Sequence, residues 1–151
     1  ETIDPTVQGT PAVEIIVTVT PTVEGSTTEP EGMNIPTLKV PVSYTLVEFE
    51  TPYCIARRFN IDIGEFLSAN KLTTESKPEA GTILRIPGTG HRWSSGDRAL
   101  LPHPASYTVK ADDTLAKIAC LYGDVSPEAI IVVNGLKEPY TLTTGQVLQI
   151  P

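Results

Sequence analysis

The chain has 151 residues, is 40% hydrophobic and carries a formal net charge of -7. Basic residues cluster nowhere beyond Arg57-Arg58, which argues against a nucleic-acid partner, because phosphate binding needs a basic surface. No apolar run approaches the roughly 20 residues of a membrane-spanning helix, and the length suits one ordinary domain or two small ones.

Residues 1–41 differ in composition from the rest. Thr, Pro, Val and Glu dominate, with prolines at positions 5, 11, 21, 30, 36 and 41. Such a segment buries too little apolar surface to offset its ordering entropy, so it reads as an extended tail or stalk. One stretch within it differs. Ala12–Thr20 reads AVEIIVTVT and places Val13, Ile15, Val17 and Val19 on one face of a strand. A lone strand needs a partner edge. It is expected to pair within the chain or to add to the sheet of a neighbouring copy. The chain begins at Glu1 rather than Met, which fits a processed secreted protein or a trimmed piece of one.

Residues 42–87 and 107–151 form two copies of one pattern. Tyr44 aligns with Tyr107, Thr51 with Thr114, Ile55-Ala56 with Ile118-Ala119, and Phe59 with Tyr122. After a one-residue insertion near Asp124, Asn70 aligns with Asn134, Leu72 with Leu136, Gly81 with Gly145, and Ile86-Pro87 with Ile150-Pro151. So many ordered matches mark an internal repeat. In the second copy Thr114 caps a helix start, and Asp112 and Asp113 are expected to favour its dipole. Leu115, Ile118, Ala119 and Tyr122 make one apolar helical stripe, which Gly123 ends. Ser126-Pro127-Glu128 starts a second helix, which Asn134-Gly135 closes. Gln146–Ile150 then alternates as a strand and stops at Pro151. The first copy repeats the plan from the cap at Thr51-Pro52. The predicted fold class is α+β: two tandem βααβ units, each a two-stranded antiparallel sheet with two helices on one face. Units this small are marginal alone, so the two are expected to touch each other or a partner.

Residues 88–106 link the copies and read as a Gly/Ser/Pro loop. Trp93 and Leu100-Leu101 are expected to pack on a unit rather than to stack on a ligand. His91 and His103 have no cysteine or carboxylate at ligand spacing, so no metal site is predicted. Nor is any cofactor or catalysis. The chain lacks Gly-x-Ser-x-Gly, His-Glu-x-x-His and a phosphate-cradling glycine loop.

The repeated residues resemble the LysM family. Its Tyr-x-Val, Asp-Thr-Leu, Ile-Ala, Tyr-Gly, Asn, Leu and closing Leu-x-Ile-Pro fall on Tyr107, Val109, Asp113-Thr114-Leu115, Ile118-Ala119, Tyr122-Gly123, Asn134, Leu136, Leu148, Ile150 and Pro151. The first copy keeps Tyr44, Thr51, Ile55-Ala56, Asn70, Leu72, Gly81, Leu84, Ile86 and Pro87. The resemblance implies a secreted or envelope-associated, non-catalytic module. Its partner would be a polysaccharide containing N-acetylglucosamine, of peptidoglycan or chitin type. The implied groove lies between the first and last loops of each unit. It would use Asp113, Thr114, Leu115, Asn134 and Leu136 in unit two, and Glu50, Thr51, Pro52, Asn70 and Leu72 in unit one. The family's Gly before Asp-Thr is Phe49 in one unit and Asp112 in the other, so bulk or charge enters each groove. The alternative is a structural subunit of an extracellular assembly, such as a filament, in which residues 12–20 dock a neighbouring copy.

Cys54 and Cys120 lie on the first helix of each unit at non-equivalent positions. Both point away from the Ile-Ala-aromatic stripe, so neither reads as a core cysteine. A Cys54–Cys120 disulfide, an intermolecular bond or free thiols remain open, the first being favoured in a secreted chain.

Overall fold

The structure, a computed structural model, describes residues 34–151. The strand predicted at residues 12–20 lies outside them. The element order is β1 (Ser43–Thr45), α1 (Pro52–Phe59), α2 (Ile63–Ala69), β2 (Ile83–Arg85), then β3 (Ala105–Thr108), α3 (Leu115–Tyr122), α4 (Pro127–Val133) and β4 (Val147–Ile150). Each half is βααβ. β1 pairs antiparallel with β2, Ser43 opposite Arg85, and β3 with β4, Ala105 opposite Ile150.

The caps at Thr51, Thr114 and Ser126 form where the sequence places them, and Asp62 adds a fourth that the sequence reading did not name; each side chain accepts the N–H three residues on. Two helices end on residues with positive φ, Asn60 at 53° and Gly123 at 98°. At Gly123 a Cβ would also lie 2.5 Å from Leu100 Cδ2, so the Leu100 side chain would have to shift to admit one.

Each unit has its own core. Leu46, Ile55, Ala56, Phe59, Phe66 and Leu84 pack in the first, with Tyr44, Leu72 and Trp93 against them. Val109, Ile118, Ala119, Tyr122, Ile130 and Leu148 pack in the second. Trp93 meets Tyr53 edge-on, with ring centroids 6.3 Å apart. It is thus linker packing on unit one, as the composition of residues 88–106 suggests.

The two units meet along α1 and α3. Cys54 and Cys120 form a disulfide there, their Cα atoms 5.1 Å apart. The sequence placed both cysteines outside the cores. They do lie off the apolar stripes, but Cys54 is only 5% exposed, because the facing helix covers it. Arg57 completes the seam. Its guanidinium donates to the carbonyls of Arg98 (2.8 Å), Ala99 (2.6 Å) and Cys120 (3.0 Å). Arg98 answers by donating to the Arg57 carbonyl at 2.9 and 2.6 Å. Three charge-assisted bonds from one planar group fix the linker and α3 to α1 together. Residues 35–39 run across both halves, lining cavities with Arg58 of the first and with Val125 and Ala129 of the second.

Candidate functional site

The loop between the first strand and first helix is built around a carboxylate in both units. In the second, Asp113 accepts the Tyr107 hydroxyl at 2.8 Å and the Lys110 N–H at 2.8 Å. In the first, Glu50 accepts the Tyr44 hydroxyl at 3.0 Å and the Val47 N–H at 3.2 Å. A tyrosine hydroxyl and a backbone N–H at the same spacing from a carboxylate therefore staple the loop to its own strand in both units. This corrects the helix-dipole role expected of Asp113: its oxygen turns back to the strand, where an O–H and an N–H await it, and α3 has no acidic residue in its first turn.

The residue before each carboxylate adopts a backbone that favours glycine. Phe49 has φ 70° and Asp112 has φ 62°, which costs an L-residue about 1–2 kcal/mol. The staple holds that geometry without glycine. Phe49 does not stand alone: the Lys117 ammonium lies 4.2 Å from its ring centroid and donates to the Asp112 carbonyl at 2.6 Å. One lysine of α3 thus touches the first loop of both units.

The loop between the second helix and second strand lies beside the first. Gly81 N–H donates to Leu46 O at 2.7 Å, and Gly145 N–H to Val109 O at 2.8 Å. Both glycines have positive φ, 88° and 87°. These bonds bring together the two loops that the sequence named as walls of a groove.

The named side chains fall into three groups. Thr51 and Thr114 hydroxyls cap α1 and α3, Thr51 remaining exposed and Thr114 half-exposed. Glu50 and Pro52 are buried, while Leu72, Leu115 and Leu136 are partly buried against the cores. Asn70 and Asn134 bind backbone throughout. Asn70 donates to Phe66 O and Arg85 O and accepts from Arg85 N–H, and Asn134 does the same with Ile130 and Gln149. Each amide pairs with the N–H and C=O of one residue of the last strand and ties the second helix to it. Glu50, Pro52 and the two asparagines are committed to the fold, while the three leucines keep part of their surface open. What the two loops leave for a ligand is chiefly backbone and rim.

Sequence reasoning missed Tyr44 and Tyr107 as staple partners, although a tyrosine six residues before a carboxylate in both copies carried that signal. It also missed Tyr140, which is 37% exposed on the last loop of unit two at φ 54°. Burial and the adjacent carboxylate push Tyr44 and Tyr107 up to about 12, with Arg58 opposing the effect at Tyr44.

Unit one has a further buried charge. Arg58 donates to Glu50 at 2.7 Å, their side chains 1% and 0% exposed. At the other end of α1's unit, linker residues clamp the start of α2. Thr89 and His91 bond Glu65, Ser94 bonds Asp62, and the Asp62 N–H donates to the His91 carbonyl. These hydroxyl and histidine partners lower the carboxyl pKa values of Asp62 and Glu65, and Glu65 raises that of His91. His103 pairs with Asp124 at 3.0 Å. Both linker histidines are therefore partners of carboxylates.

Comparison with known proteins follows the repeat. A model of the LysM domain matches residues 44–87 and 107–151. The secreted LysM effector ECP6 of Passalora fulva is 26% identical over 121 residues, covering 73% of this chain and 53% of that protein. The N-acetylmuramoyl-L-alanine amidase sle1 of Staphylococcus epidermidis is 30% identical over 108 residues, covering 72% of this chain and 31% of the amidase. The crystal structure of the spore cortex-lytic enzyme SleL of Bacillus megaterium aligns over 72% of this chain and 22% of its own, at 32% identity and a TM-score of 0.29. The chain thus spans about half of the effector and under a third of the amidase.

Proposed function

We propose a function from the premise that this chain belongs to the LysM family: it is a non-catalytic module that binds polysaccharide containing N-acetylglucosamine. The observation that carries this is the shared loop frame of the two units. Both hold a left-handed residue before a stapled carboxylate, and both tie that loop to the last one through a glycine N–H. Such a frame presents backbone N–H and C=O groups in fixed positions, the chemistry that grips an acetamide, while small apolar surface takes its methyl. A neutral glycan is also compatible with the net charge of -7. The names of the relatives, a secreted effector and an N-acetylmuramoyl-L-alanine amidase, support an extracellular or envelope setting.

Thr51, Thr114, Leu115, Leu72 and Leu136 are proposed as the side chains nearest the glycan. Glu50, Asp113, Asn70 and Asn134 act by shaping the loops. Unit two, closer to the family pattern, is proposed as the stronger site. The test is co-sedimentation with insoluble peptidoglycan and, separately, chitin. Depletion from the supernatant, reversed by soluble N-acetylglucosamine oligomers, supports the reading. No depletion from either polymer overturns it. Light scattering on the same sample then tests the structural-subunit alternative, which requires oligomers that vanish on removal of residues 1–36.

A further inference from the structure

The two small sheets have four outer edges, and these are not equally open. Ile86 N–H donates to Val42 O and Leu46 N–H to Thr82 O, both at 3.0 Å, so the backbone groups of Val42, Tyr44 and Leu46 face β2. Antiparallel alternation then turns the N–H and C=O of Ser43 and Thr45 outward, to the free edge of β1. On the far side of that sheet the Asn70 amide occupies the N–H and C=O of Arg85, and in unit two Asn134 occupies those of Gln149. An amide seated there stands where a further strand would lie, which closes β2 and β4.

β1 and β3 keep an open edge with the same limits. The aligned Pro41 and Pro104 have no N–H and end it on one side. The carboxylate staple ends it on the other. Glu50 engages both the N–H and the C=O of Val47, and Asp113 both those of Lys110. Between these limits lie Ser43 and Thr45 on β1, and Ser106 and Thr108 on β3. All four are exposed, and among the described residues their backbone groups meet no partner. The flanks differ. Exposed Lys110 guards β3, since a charge beside an edge resists burial under another strand. The aligned residue on β1 is Val47, which is 46% exposed, and Val42 in place of Ala105 is 86% exposed. β1 is thus an unguarded edge with an apolar side chain on each face.

Such an edge fits an extended segment that is apolar along one face. Residues 12–20 have that pattern, with Val13, Ile15, Val17 and Val19 on one face. Prolines at 21, 30, 36 and 41 favour an extended course for the chain that follows. Residues 21–33 alone span roughly 40 Å when extended, which carries the segment away from its own β1 and into reach of a neighbour.

We propose that residues 12–20 of one copy add as a third strand to the open edge of β1 in a second copy. The inference rests on the alternative reading above, in which this segment docks a neighbouring copy, and it supplies the acceptor. Main-chain bonds to Ser43 and Thr45 hold the strand, and its apolar row covers Val42 beside Tyr44. Donor and acceptor are different surfaces of one chain, so the contact is head-to-tail. Each copy gives one strand and takes one, and copies join into a row or a ring.

The test uses the whole chain, with light scattering over a concentration series and hydrogen exchange of β1 read together. Ile15→Asp spoils the donor. Val42→Lys/Val47→Lys gives the β1 edge the guard that β3 has; both side chains are exposed, so the fold should persist, and NMR dispersion checks it. The expected result is a mass that rises with concentration, slow exchange at Ser43 and Thr45, and monomers of each variant alone. Mixing the two variants should give dimers, because one still accepts and the other still donates. Oligomers lost in Ile15→Asp but kept in the lysine variant put the strand on another edge: the docking reading stands and the β1 assignment falls. A monomer with slow exchange at Ser43 and Thr45 means that the tail covers the edge of its own chain, which overturns the proposal. Monomers with fast exchange at every concentration, or oligomers that survive in both variants, overturn the docking reading and the assignment together.

Discussion

Removing the Cys54–Cys120 disulfide is the perturbation whose size can be worked most directly from the structure. The bond joins residues 66 apart in sequence, and the loop it closes holds α2, β2, the linker and β3. In the chain-entropy model a loop of that length restricts the unfolded ensemble by roughly 4 kcal/mol at 25 °C. That is a large share of the 5–15 kcal/mol typical of whole domains. The folded state should change little. Arg57 still holds the Arg98, Ala99 and Cys120 carbonyls, so the seam keeps its geometry. The double variant Cys54→Ala/Cys120→Ala should therefore show native NMR dispersion, a lower urea midpoint and a somewhat larger m-value, as the freed unfolded chain exposes more surface. Unfolding the unaltered protein with and without reductant gives the same comparison should the variant fold poorly. A loss below about 1 kcal/mol would refute the reasoning, because the loop-closure contribution would then be absent. A separate early transition for one unit would refute the claim that Arg57 suffices to hold the seam.

Four further outcomes follow from the loops and the linker. Glu50→Gln leaves Arg58 buried without a counter-ion and should cost about 3–5 kcal/mol, whereas Asp113→Asn weakens only two hydrogen bonds and should cost about 1–2 kcal/mol; equal losses in urea unfolding would sink the distinction between the units. Asp112→Gly removes a left-handed strain of about 1–2 kcal/mol, partly offset by the freer glycine in the unfolded chain, and should leave thermal stability unchanged or raised; a marked fall in Tm contradicts it. Tyr44 and Tyr107 hold their protons up to about 12, above the ordinary value near 10. Their stabilisation is therefore complete below about pH 10 and is lost as pH rises towards 12; phenolate absorbance should show two of the five tyrosines ionising late, and a single step near 10 would refute this. In the linker clamp, His91 is raised from 6.5 and Glu65 lowered from 4.5. The His91 contribution is present below 6.5 and fades as pH rises past its raised value, while that of Glu65 is present above 4.5 and fades on acidification. Amide signals of Thr89 and Trp93 should thus report tightest docking between these limits, and pH-invariant signals would contradict the clamp.

What could be read from the chain alone was whatever is local or repeated. Helix caps at Thr51, Thr114 and Ser126 depend on residues three positions away, so sequence order determines them. The βααβ order followed because Tyr44–Pro87 and Tyr107–Pro151 restate one pattern, and each copy checks the other. Asp113 shows where local rules mislead. A carboxylate beside a helix start satisfies the dipole argument, yet an O–H six residues back and an N–H three residues back offer two directed bonds instead. Arg58 was illegible for a different reason. It shares a cavity wall with residues 36–39 and an ion pair with Glu50, and nothing in the helix pattern of α1 predicts either. The groove residues were legible as positions but not as roles, because spacing cannot tell a side chain that meets a ligand from one that, like Asn70, spends every donor and acceptor on backbone.

The seam breaks the repeat's symmetry in a way that bears on binding. Aligned positions carry Cys54 and Lys117 on one register, and Arg57 and Cys120 on the other. Each helix therefore presents the same two sites to its partner, but with different chemistry at each. The disulfide joins non-equivalent positions, and Arg57 grips the carbonyl of its own counterpart, Cys120. Such a contact cannot be exchanged between copies of one unit without losing both bonds, so the pair is fixed in order and orientation. Two tethered sites gain affinity only when one ligand spans both in their fixed arrangement. A flexible linker would tolerate many glycan geometries at low gain. On the proposed glycan-binding reading, a linker held by Arg57, Arg98 and two histidine–carboxylate pairs would tolerate few, and would repay a matching polymer more strongly because little ordering entropy is left to lose on binding.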